Sequence, residues 1–155
     1  VLVVRPECVA VLCADGELRS SLQLLVATIH AQSRIRLIGY TNQLWSWMRC
    51  ASVFVSISKI EGNPNTVLEA MALGCPLVVS DIPQHREILD ESSALWCDPN
   101  SAEDVSMAIC KALDDPASAG ARAVIARGRT ADCSIGEAAL HYFRVYNTVL
   151  SERKA

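Results

Sequence analysis

Two carboxylates, Glu61 and Glu69, stand eight residues apart in the segment Ser58-Lys-Ile-Glu-Gly-Asn-Pro-Asn-Thr-Val-Leu-Glu69. Ionised carboxylates only accept hydrogen bonds, so a pair of them suits the vicinal hydroxyls of a sugar or ribose. Gly62 lets the backbone approach a ligand closely. Pro64 stiffens the loop. Asn65 or Thr66 is placed to N-cap the helix that follows. The start of that helix offers free N–H groups and the positive end of a dipole, which suits a phosphate. Glu61 then lies in the loop, and Glu69 about one turn into the helix. The combination predicts a phosphate held between two hydroxyl-bearing rings, the chemistry of a nucleotide sugar. An N-capped helix with two solvated acids is the plainer alternative that spacing by itself leaves open.

Positioning such a loop requires a strand before it and a helix after it. Short apolar runs predict five strands, at 8–13, 35–38, 53–57, 77–80 and 94–97. Helical spacing predicts helices over 18–30, 42–50, 66–73 and 84–89 between and after them. Gly74 is a stop signal for the third of these. Beyond the fifth strand the pattern is all helical, over 102–113, 118–129 and 135–153, with Asp114-Asp115-Pro116 as a stop and turn. Tyr142, Phe143 and Tyr146 mark the last helix as packed. Strand–helix alternation means an α/β fold, a doubly wound parallel sheet of Rossmann-like type with a helical C-terminal tail. The continuous apolar strands agree, since such strands are buried on both faces. Ligands of such sheets bind beyond the carboxyl ends of the strands, where the 58–66 loop falls.

Composition narrows the classes further. The 155 residues are 51% apolar and 20% charged, which excludes a disordered chain. Fourteen basic against seventeen acidic side chains give a net charge of −3, so no basic field draws the chain to nucleic acid. Arg122, Arg127 and Arg129 form the one local basic cluster, read as a solvated helix face. The seven cysteines are odd in number and form no C-x-x-C pair. They read as small apolar residues of a reducing, cytoplasmic compartment. His30, His85 and His141 are scattered away from any cysteine pair, so a zinc site fails on spacing. No run of eighteen apolar residues occurs, so no membrane span is expected. The start at Val1, without Met, is expected to be that of a fragment.

The whole string from Ser58 to Asp81 closely resembles the signature of the family 4 (group 1) retaining glycosyltransferases, S-x-x-E-G-x-P-x-x-x-L-E-A-M-A-x-G-x-P-V-V-x-S-D. Leu77 in place of the first Val is the main departure. Asp15-Gly16-Glu17-Leu18-Arg19 resembles the family's glycine turn, although Ala14 replaces its first glycine. Arg36-Leu37-Ile38-Gly39-Tyr40, the stretch from Ser80 to Ile88, and Leu95-Trp96-Cys97-Asp98-Pro99 extend the likeness over roughly residues 8 to 115.

The resemblance implies a GT-B enzyme of two Rossmann-like lobes, with residues 1–155 as the C-terminal, donor-binding lobe. It implies that Glu61 faces the donor sugar hydroxyls and Glu69 the ribose. Backbone groups at Gly62, Asn63 and Asn65 would face the sugar, and those of Thr66 and Val67 the diphosphate. Gly39 and Tyr40 would line the base pocket. No cofactor or metal is implied, and the chain has no D-x-D motif. The co-substrate would be a UDP-, GDP- or ADP-sugar, and the acceptor a glycan or lipid-linked glycan in polysaccharide, lipopolysaccharide or glycolipid synthesis. The sugar would move to an acceptor hydroxyl with retained configuration. The family's diphosphate-clamping Arg/Lys pair and the N-terminal acceptor lobe would lie upstream of Val1. Lys59 is the nearest cation in this chain. Peripheral contact with the inner membrane face is a family trait. His85 and Arg86 would either start a helix or contact the donor. A non-catalytic nucleotide-binding module, or a truncated remnant, is the alternative.

Overall fold

A computed structural model describes residues 1–131 and 135–152. Cys133, and the end of the last predicted helix at Arg153, lie outside the described residues. The chain alternates as expected from β1 (Ala10–Leu12) through α1 (Arg19–Thr28), β2 (Ile35–Leu37), α2 (Leu44–Cys50), β3 (Phe54–Ser56), α3 (Asn65–Ala72), β4 (Leu77–Ser80) and α4 (Pro83–Arg86) to β5 (Leu95–Cys97). Three helices follow, α5 (Ala102–Asp114), α6 (Pro116–Gly128) and α7 (Ile135–Glu152).

All strand pairs are parallel. They fall in two ladders, β1–β2 and β3–β4–β5, where one continuous sheet was expected. β4 is the middle strand of the larger ladder, and all four of its residues are buried. Its side chains alternate between two cores, as a period of two requires. Leu77 and Val79 pack with Met48 of α2, Val67 and Met71 of α3 and Ala126 of α6. Val78 packs on the opposite face with Cys97 and with Ala108 and Ala112 of α5. The layers are thus helix, sheet, helix, which explains the unbroken apolar character of β4.

Local chemistry sets the helix ends. The Ser101 side chain accepts from the Asp104 N–H at 3.1 Å and caps α5. Asp115 does the same for α6 by accepting from Ser118 N–H at 2.9 Å, with Pro116 at the first helical position. The Asp114-Asp115-Pro116 stretch therefore starts a helix as well as stopping one, and α6 begins two residues ahead of the predicted Ser118. α1 ends on His30, a non-glycine residue at φ +52°, with Ala31 N–H donating back to Val26 C=O at 3.0 Å.

The packing expected of the last helix is corrected. Tyr142, Phe143 and Tyr146 are 65%, 63% and 63% exposed. Two of them, Tyr142 and Tyr146, stack on each other with ring centroids 6.4 Å apart. Of the cysteines, Cys75 and Cys97 are buried, and burial pushes both thiols up; Cys50 is exposed. Among the described residues no helix is long and apolar enough to cross a membrane.

Candidate functional site

The loop after β3 carries the paired glutamates. Both Glu61 and Glu69 are half-buried, and neither carboxylate has a hydrogen bond or ion pair among the described residues. Gly62, Asn63, Asn65 and Thr66 are exposed, while Pro64 and Val67 are buried and fasten the loop to the core. A Cβ on Gly62 would meet nothing within 4 Å, so the chain's own packing does not demand glycine there. Lys59 is exposed and makes no salt bridge among the described residues.

The capping of α3 differs from expectation. Neither Asn65 nor Thr66 is the N-cap. Pro64 takes that position at φ −77°, ψ 60°, and no side chain caps the helix. Asn65 is spent locally: its N–H donates to Asn63 C=O and its side chain accepts from Asn63 Nδ2, both at 2.8 Å. The first helical bond runs from Leu68 N–H to Pro64 C=O at 3.0 Å. That leaves the N–H groups of Thr66 and Val67 with no acceptor among the described residues, as the first turn of an uncapped helix must. The backbone donors and the dipole's positive end thus lie between a carboxylate in the loop and one in the helix.

A second group of site residues stands at the end of β2. Gly39 is buried at φ +73°, in the left-handed region that favours glycine, and a Cβ there would lie 3.3 Å from Arg19 Nη1. Tyr40 is 85% exposed. Arg19 joins the turns that follow β1 and β2, donating to Leu37 C=O at 3.0 Å and pairing with Asp15 at 3.6 Å. The structure puts Gly39 and Tyr40 in a different ladder from the 58–66 loop. No recorded hydrogen bond links the two groups among the described residues.

His85 and Arg86 are not free donor contacts. His85 is fully buried; its Nδ1–H donates to Ser80 C=O at 2.9 Å. The carbonyl can only accept, so Nδ1 carries the proton. The other ring nitrogen, Nε2, is buried with no hydrogen-bond partner among the described residues, an arrangement that costs about 1–3 kcal/mol. Arg86 binds both oxygens of Asp81, at 2.7 and 2.9 Å, pairs with Glu91, and lies 3.7 Å from the Trp96 ring centroid. Its guanidinium holds the carboxyls of Asp81 and Glu91 below the usual carboxylate range, and they hold its own proton more tightly. Sequence reasoning missed one contact here. Ser80 is fully buried, and its Oγ donates to Ser58 C=O at 2.6 Å, joining β4 to the glutamate loop. The available signal was a hydroxyl closing an otherwise apolar buried strand, since a buried hydroxyl requires a partner.

A family model described as glycosyl transferases group 1 matches residues 2–130. An uncharacterised glycosyltransferase of Methanocaldococcus jannaschii is 34% identical over 85 residues, 54% of this chain and 21% of that protein. The Escherichia coli UDP-Gal:alpha-D-GlcNAc-diphosphoundecaprenol alpha-1,3-galactosyltransferase is 30% identical over 112 residues, 71% of this chain and 29% of that enzyme. Among solved structures, a mutant of S. aureus TarM in complex with Fondaparinux, alpha-GlcNAc-glycerol and UDP superimposes with a TM-score of 0.84 at 18% identity. That match covers 94% of this chain and 30% of TarM, and it bears on the fold alone. The chain spans less than a third of the length of each of these proteins. It belongs to the group 1 glycosyltransferases.

Proposed function

We propose that this member of the group 1 glycosyltransferases binds a nucleoside diphosphate sugar and serves as the donor-binding lobe of a retaining glycosyltransferase. One observation carries the reading: the N–H groups of Thr66 and Val67, without acceptors among the described residues, fall in the chain between two half-buried carboxylates that also have no partner there. The diphosphate sits on those N–H groups, where the helix dipole favours negative charge. Glu69 accepts from the ribose hydroxyls and Glu61 from hydroxyls of the donor sugar. The open side of Gly62, with Asn63 and Asn65, gives the sugar access to the loop backbone. Gly39 and Tyr40 hold the base. The UDP-Gal donor in the name of the E. coli galactosyltransferase supports a uridine donor before GDP or ADP.

In the reaction, the bond between the anomeric carbon and the diphosphate oxygen breaks while a bond to the acceptor hydroxyl oxygen forms on the same face. The acceptor proton passes to the leaving diphosphate. The fixed donors of Thr66 and Val67 stabilise the charge that develops there, a preorganised electrostatic contribution. The acceptor is a glycan or lipid-linked glycan, as the name of the E. coli galactosyltransferase states for that enzyme. It is held by a lobe outside these residues. Calorimetric titration with UDP, GDP and ADP tests the reading. One nucleotide binds, and Glu69→Ala weakens it about tenfold or more, the loss of a charged hydrogen bond. Equal binding by Glu69→Ala overturns the role of that carboxylate, and no binding of any nucleotide overturns the donor reading.

A further inference from the structure

From Ser58 to the first turn of α3, the donor loop makes one recorded hydrogen bond to another part of the described chain. It is the bond from Ser80 Oγ to Ser58 C=O, at 2.6 Å. The other bonds of this stretch are local, between Asn63 and Asn65 and from Leu68 N–H to Pro64 C=O. Pro64 and Val67 anchor the far end of the loop by burial. The near end, three residues before Glu61, depends on Ser80.

Ser80 is in turn held by His85. The imidazole is fully buried and donates from Nδ1 to Ser80 C=O at 2.9 Å, with Ser80 Oγ 3.3 Å from the same nitrogen. A ring that were present only to fill space would be apolar. This one leaves Nε2 buried without a partner among the described residues, and its polar contacts are those that Nδ1 makes with Ser80. A hydrogen-bonded chain therefore runs from α4 through the end of β4 to the start of the glutamate loop. Neither side chain is exposed to a ligand.

We propose that Ser80 and His85 are positioning residues, which set the backbone at Ser58 and thereby the place of Glu61 in the donor site. The proposal rests on the donor-binding reading of the loop, and it has a readout that does not need the donor. Asparagine puts an amide nitrogen near the place of Nδ1, whereas leucine has no donor at similar bulk. Ser80→Cys keeps a side-chain donor, weaker than the hydroxyl and slightly larger, where Ser80→Ala has none.

Backbone amide order parameters of the ligand-free, labelled chain are measured first, then UDP affinity, with melting temperature as the record of folding. Ser80→Ala and His85→Leu are expected to lower the order parameters of residues 59–63. They are also expected to weaken UDP about fivefold to tenfold, the worth of one hydrogen bond. His85→Asn restores both, and Ser80→Cys lies between. Unchanged order parameters at 59–63 in the folded Ser80→Ala and His85→Leu variants overturn the proposal. Lowered order parameters with unchanged UDP affinity overturn it too, since the anchor would then be structural only. If the wild-type chain binds no UDP, the donor reading fails, and the order parameters alone decide whether the loop is positioned this way.

Discussion

At the scale of single residues, the division of labour among the charged side chains follows from which of them are already paired. Asp81 and Glu91 are spent on Arg86, and Asp90 on Arg129 and the hydroxyls of Ser92 and Ser93. Each of these three carboxyls is held below its ordinary value by its hydrogen bonds. A carboxyl whose pKa is depressed in the folded state contributes stability above its unfolded pKa and loses it as pH falls through the folded one. Melting temperature is therefore expected to be level near neutrality and to fall below about pH 4, where free carboxylates begin to protonate. Arg86→Met removes the partner of two of the three and is expected to flatten that acid limb. An acid limb of unchanged steepness in Arg86→Met would contradict it. The placement of Glu61 in the loop and Glu69 in the helix was legible in the sequence, because strand and helix boundaries follow local pattern; their role toward a donor is the proposal made above. The roles of His85 and Arg86 were not legible, because a residue's partners across the fold leave no local pattern. Asp81 and Glu91 each lie five residues from Arg86, and neither separation signals a clamp in a loop.

At the scale of elements, boundaries are set by a few capping groups, and these were partly readable. Gly74, read as a stop, follows α3 at φ +70°, whereas the side-chain caps at Ser101 and Asp115 were not foreseen. At α3, loop geometry overrides propensity, since Pro64 takes the cap position and leaves two backbone donors free. A polar cap there would occupy the N–H groups that the proposed diphosphate needs. α1 ends instead on an L-residue in left-handed conformation, His30 at φ +52°. That conformation strains any side chain, and only part of the relief from glycine is offset by its freedom in the unfolded chain. His30→Gly is expected to stabilise the chain by about 0.5–1 kcal/mol, a rise in melting temperature of about 1–4 °C. A fall in melting temperature would mean that the imidazole makes a stabilising contribution outweighing the strain.

At the scale of the whole molecule, the layered arrangement turns a sequence alternation into a site. β4 is buried on both faces, so the loops that leave the ends of β3 and β4 emerge side by side from one rigid support. The fold class was legible because buried parallel strands read as unbroken apolar runs. The split of the strands into two ladders was not legible, because pairing depends on register and not on composition. Nor was the exposure of α7, whose aromatic residues read alike whether they face a core or open space. The central claim is that the first turn of α3 receives the diphosphate. It is tested most directly by following backbone amide resonances of the labelled chain as UDP is added. The account predicts the largest shifts at Thr66 and Val67, with the amides of residues 59–63 following. Saturable binding that moves resonances elsewhere and leaves those of Thr66 and Val67 in place would contradict it.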